Sequence, residues 1–171
     1  MLRRLIEKRI SAAERTLGVP ADYMRHILKV SLRAFFKFVK IMPLAEYRRA
    51  LPSEPFHVAR LVATRDEDCG TCLQIEVNLA KKDGVSPAVL QAVLESSPDD
   101  LPPELADVYR FAEEVVTARG GEAPYRERIR RHYGEEALVE LAMTMAACRV
   151  FPITKRALGY AQSCSKVTVQ V

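Results

Sequence analysis

The chain has 171 residues, of which 49% are hydrophobic, and 26 basic against 22 acidic side chains leave a net charge of +4. That length and apolar content suit one domain or slightly more, with a core that needs no metal or disulfide staple. Four cysteines are too few for a secreted disulfide scaffold, so the sequence reads as a soluble protein of the reducing cytoplasm.

Residues 2–17 put Leu2, Leu5, Ile6, Ile10, Ala13 and Leu17 on one side of a helix, and Gly18 followed by Pro20 stops it. The same stretch lacks the uncharged apolar centre of a signal peptide, and Glu7 and Glu14 argue against a transit peptide. Helical periodicity resumes from Asp22 to about Ile41, through Ile27, Leu28, Val30, Ser31, Phe35 and Phe38, until Pro43 ends or kinks it. Its AFFKFVKIM run reads as an aromatic core stripe rather than a membrane-surface helix. The basic excess at 25–49 and in RERIRRHY (126–133) is interspersed with acids, which predicts solvated helix faces rather than a nucleic-acid surface.

Ser53 predicts an N-cap with Pro55 in the first turn, opening a helix that reaches about Thr64. An acidic connection, RDED, leads to a helix over 69–82 with Leu73, Val77 and Ala80 on its apolar face. Gly84 caps it, and Ser86 with Pro87 opens another at 87–95. The turn-rich SSPDDLPPE (96–104) separates this from a helix over 104–118 carrying Leu105, Val108, Tyr109, Ala112, Val115 and Val116. A short helix follows at 124–132, then a long one from about 135, apolar almost all round and so predicted buried. Pro152 is expected to interrupt it before a last helix near 154–164. No stretch reads as a membrane span, and only the closing VTVQV has strand character. The expectation is an all-α bundle of about eight helices, with an N-terminal helical extension (1–50) preceding the main helical domain (51–171).

The chemistry concentrates in DEDCGTCLQIE, where Cys69 and Cys72 form a CxxC. Structural zinc would need a second close ligand pair, and neither Cys148 and Cys164 nor the three histidines supply one. Two small buried residues near each other by chance remain an open reading. The third reading is a redox couple. With Asp66 or Asp68 as N-cap, Cys69 falls in the first helical turn and Cys72 about one turn later, where orphan N–H groups and the helix dipole favour thiolate. The acids Asp66, Glu67 and Asp68 oppose thiolate, which calls for a specific base nearby. Glu76 lies four residues after Cys72 on the same face, and His57 sits in the apolar PFHVARLVA of the preceding helix. A thiol pair with an acid–base pair is the minimum equipment for thiol peroxidase or disulfide-exchange chemistry.

This arrangement resembles the alkyl hydroperoxidase D group of the carboxymuconolactone decarboxylase superfamily. The resemblance covers about residues 45–118 and rests on helix order and on HVARLVATRDEDCGTCLQIEVNLAKKDGVSPAVLQAVL. The family pattern has Glu twelve residues before the first cysteine and His four after the second. Here those positions hold His57 and Glu76, so the two side chains exchange places.

The resemblance implies hydroperoxide reduction by Cys69 and Cys72 with a His57/Glu76 proton relay. Sulfenic acid would form on one cysteine and resolve as a Cys69–Cys72 disulfide, to be reduced by an external thiol or dithiol donor. Helix spacing puts Cys72 next to Glu76 and leaves Cys69 as its resolving partner, while Cys148, in MTMAACRVF, reads as a buried inert thiol. No metal or organic cofactor is required, and no nucleic-acid or membrane partner is implied. A homo-oligomer, trimer or hexamer, is. Two alternatives use the same sequence: a disulfide reductase serving a partner peroxiredoxin, and a non-enzymatic helical interaction protein.

Overall fold

From Pro55 to Thr64 every side chain is buried, the apolar ones together with His57, Arg60 and Thr64. A helix apolar on all faces belongs in the middle of a bundle, and this one, α5 (Ser53–Asp66), packs against four others. They are α6 (Gly70–Lys82), α7 (Pro87–Leu94), α8 (Pro103–Thr117) and α10 (Glu135–Ala157). A further helix, α9 (Ala123–Tyr133), closes against α8 and α10. The structure is a computed structural model that describes residues 2–163 and 170–171. Among the described residues it is all-helical, as expected.

Ahead of this bundle come α1 (Leu2–Leu17), α2 (Asp22–Val30), α3 (Leu32–Phe38) and the one-turn α4 (Met42–Ala45). They hold their own apolar cluster of Ile6, Ile10, Tyr23, Met24, Leu28 and Phe35, while the main cluster begins at Leu51. Gly18 ends α1 at φ +71°, a left-handed conformation that disfavours any side chain, and the Asn78 amide lies 3.3 Å from where a Cβ would stand. That amide donates to the Leu17 carbonyl at 2.7 Å, tying the end of α1 to α6. At the other end of the extension, the buried Glu140 carboxylate accepts backbone N–H groups of Arg49, Ala50 and Leu51 at 2.8–3.2 Å. Burial alone would raise this carboxyl, but these amides and the nearby Arg48 charge outweigh it and hold the group low.

Several sequence expectations are corrected. The segment 22–41 is not one helix, because Ser31 turns extended (φ −150°, ψ 112°) and its Oγ caps α3 by accepting the Ala34 N–H at 3.1 Å. Ser against its own following turn is a better cap than interior residue. Pro52, not Ser53, holds the N-cap position of α5. Pro152 does not interrupt α10, which runs on to Ala157, and Tyr160–Ser163 are not helical. Proline deprives one carbonyl of its donor, yet Lys155 and Arg156 beyond it are anchored to the first turn of α6 and to the end of α5, and carry the helix past it. The proposed last helix extends to 164, and the strand-like VTVQV begins at 167; Cys164 and residues 165–169 lie outside the described residues. α10 is also long and apolar enough by composition to cross a membrane, although 50% of that window is buried inside the bundle.

Candidate functional site

Three residues, Glu67, Asp68 and Cys69, connect α5 to α6. Asp68 takes a left-handed conformation (φ 46°), and Cys69, extended at φ −122° and ψ 91°, becomes the N-cap of α6. Neither Asp66 nor Asp68 caps the helix as expected, because the backbone of Asp68 is spent on reversing the chain. Cys69 therefore precedes the first turn and Cys72 ends it. The two are joined as a disulfide with Cα atoms 5.2 Å apart. Cys69 is 0% exposed and Cys72 5% exposed.

Above Cys69 lies the chain that follows α10. The Gly70 N–H, an orphan donor at the helix start, donates to the Gln162 carbonyl at 2.9 Å, and the Ser163 hydroxyl donates to Asp68 at 3.0 Å. The acids flanking the cysteines are answered by α10: Arg149 pairs with Glu67 and with Asp66 (3.2 Å), and Arg156 donates to the Glu67 carbonyl. Between these arginines in sequence comes Lys155, buried, its ammonium bonded to Thr71 Oγ1 and 5.6 Å from the Tyr23 ring centroid. Thr71 Oγ1 is 3.7 Å from Cys69 Sγ. Burial pushes the Lys155 ammonium below its ordinary pKa, with only Asp22 acting against that.

Glu76 lines up one turn beyond Cys72 and is buried, as expected, but its partner is not His57. Arg60 holds both of its oxygens, Nε at 2.7 Å and Nη2 at 2.8 Å. Burial alone would lower the Arg60 pKa, and the Glu76 carboxylate more than offsets it. His57 is buried too, but Nε2 meets Asp83 Oδ2 at 3.2 Å and Nδ1 has no partner among the described residues. Asp83 lies eleven residues beyond Cys72, about 16 Å along α6 at ~1.5 Å per residue. His57 and Glu76, expected to meet at hydrogen-bond distance or across one water, instead take their hydrogen bonds from different side chains. Arg60, one turn along α5 from His57, offers a fork that satisfies both carboxylate oxygens, which one imidazole N–H cannot do. Burial holds His57 low, with the neighbouring Arg60 charge adding to it and the Glu76 and Asp83 carboxylates opposing. The ring is therefore a neutral donor to Asp83.

Cys72 and Glu76 face a cavity of about 620 Å³ between the N-terminal helices and the α6–α10 side of the bundle. Arg60, Thr64, Cys148 and Lys155 belong to the same wall, whereas Cys69 and His57 do not. Cys148 is buried as expected, donating to the Met145 carbonyl at 3.4 Å, and burial with the Glu76 charge pushes its thiol up to about 12. It is inert as a nucleophile at neutral pH. Comparison with protein-family models, with curated proteins and with solved structures finds no match.

Sequence reasoning missed Arg60, Lys155, Arg149 and Arg156. Arg60 carried a signal, a cation within an otherwise apolar helical stripe, which folding buries only with a partner or a purpose; nothing local tied the α10 cations to the cysteines.

Proposed function

We propose that Cys69 and Cys72 are a dithiol/disulfide couple that reduces hydroperoxides. The observation that carries this is a CxxC disulfide at a helix start whose second sulfur, and not its first, opens onto a cavity large enough for a small molecule.

Cys72 is the attacking thiol. Its proton passes to a Glu76 lone pair that Arg60 leaves free, directly or through one water. The thiolate takes the terminal peroxide oxygen, giving sulfenic acid on Cys72, and the departing alkoxide leaves as the alcohol with the proton returned from Glu76. Cys69 then attacks the sulfenic sulfur and water is released as the disulfide forms. An external dithiol reduces it, giving up two hydrogens and ending as its own disulfide. Lys155, acting through Thr71, favours the Cys69 thiolate in that last exchange. His57 touches none of these groups and acts as a support for the end of α6. Burial of both sulfurs favours small-molecule oxidants over a folded protein disulfide, which would have to reach Cys69 beneath Gln162.

The test is stoichiometric. Reduced protein given one equivalent of tert-butyl hydroperoxide should consume it with formation of one Cys69–Cys72 disulfide, leaving Cys148 and Cys164 as thiols on mass mapping. Oxidation of Cys148 or Cys164 ahead of the pair would overturn the assignment.

A further inference from the structure

The cavity is too large to be a packing fault. Protein interiors pack at crystal-like density with few voids beyond the size of a water, whereas about 620 Å³ falls in the ~300–1,000 Å³ range of small-molecule sites. Its walls are mostly apolar, with Ile6, Ile10 and Met24 of the N-terminal helices facing Ile75 and Leu79 of α6.

Arg9 and Glu46 of the wall are exposed, and of its less exposed charges all but one are paired. Arg60 has Glu76, and Glu14 has Arg25. Lys155 forms no ion pair with any Asp or Glu, all of which lie among the described residues, and Asp22 acts on it only through space. Of its three N–H donors one goes to the Thr71 hydroxyl, and a tyrosine ring covers another side. A buried ammonium without a counter-ion is costly to keep, and a bound anion removes that cost. The wall also carries the fully buried Thr64 hydroxyl, beside the Cys148 thiol.

We propose that this cavity binds a carboxylate with a long apolar chain, a fatty-acid-like molecule whose headgroup pairs with Lys155 and whose chain lies between the N-terminal helices and α6. The N-terminal helices are then the roof of a ligand site, and Gly18 and Asn78 hold that roof against α6. An oxidised chain carrying a hydroperoxide would lie along the wall that holds Cys72 and Thr64. That last step, which names the substrate class, rests on the redox reading above; the binding itself does not.

The test is displacement of a dansyl-labelled undecanoic acid from the full-length protein. Dodecanoic acid should compete at least about tenfold more tightly than its methyl ester, the scale of one charge-assisted pair. Lys155→Met should weaken the acid to the level of the ester and leave the ester unchanged. Leu79→Trp and Ile75→Trp, each checked for native helicity, should lose both ligands by filling the cavity. Wild-type protein that binds dodecanoic acid but fails to reduce a hydroperoxide refutes the redox reading alone. No probe binding by the wild-type protein, equal affinity for acid and ester, or undiminished acid binding by Lys155→Met would each overturn the site.

Discussion

Replacing Arg60 by Met leaves the Glu76 carboxylate buried without a counter-charge, and the loss can be worked out from its contacts. Two charge-assisted bonds to Glu76 disappear, at 2.7 and 2.8 Å, together with donations to the Ala45 carbonyl and to Thr144 (3.2 Å). Removing one partner of a buried pair typically costs about 3–5 kcal/mol, so about 4 kcal/mol is expected here. Glu76→Met should cost about as much, by stranding the guanidinium instead. The double variant should recover most of the loss, because a well-packed apolar pair of similar volume is often neutral within about 1 kcal/mol. Urea unfolding followed by circular dichroism gives all four free energies, since the chain has no tryptophan and helix signal is abundant. A parallel cycle of His57→Gln with Glu76→Met should give under about 1 kcal/mol of coupling, because those side chains have different partners. Strong His57–Glu76 coupling with weak Arg60–Glu76 coupling would refute the pairing seen here.

Two other outcomes follow from the same physics. His57 is held below its ordinary value of 6.5, so the unfolded chain takes up the proton first; stability should be full above pH 6.5 and fall as the pH drops, by up to about 1.4 kcal/mol per unit. Urea midpoints at pH 7.5 and 5.5 should show that drop in the wild type and a smaller one in His57→Gln; equal drops would show that the ring is not held neutral. Glu140→Gln weakens the clamp on three backbone amides and should cost about 3 kcal/mol, with faster proteolysis between Glu46 and Leu51; an unchanged melting temperature would refute the clamp.

Helix order and the buried nature of α10 were legible because apolar spacing reports burial directly. Ser31 was misread because a hydroxyl that fits an apolar stripe by position can break the helix by capping the next turn. Pro152 was misread for the opposite reason, since tertiary anchors beyond it outweighed one lost hydrogen bond. Within the site, Cys69, Cys72 and Glu76 could be placed by counting along one helix. The partner of Glu76 could not. It depends on which residue of α5 reaches across, and His57 and Arg60 are three apart on neighbouring turns. The cations of α10 were beyond local reasoning, because they arrive from some eighty residues away.

Steady-state consumption of a hydroperoxide with a dithiol donor tests the central claim most directly, comparing wild type with Cys69→Ser and Cys72→Ser. The couple proposed here predicts turnover in the wild type and none above background in either variant. A single burst in Cys69→Ser should remain, because Cys72 can still form its sulfenic acid. Wild-type consumption no faster than that of the Cys69→Ser/Cys72→Ser double variant would contradict it.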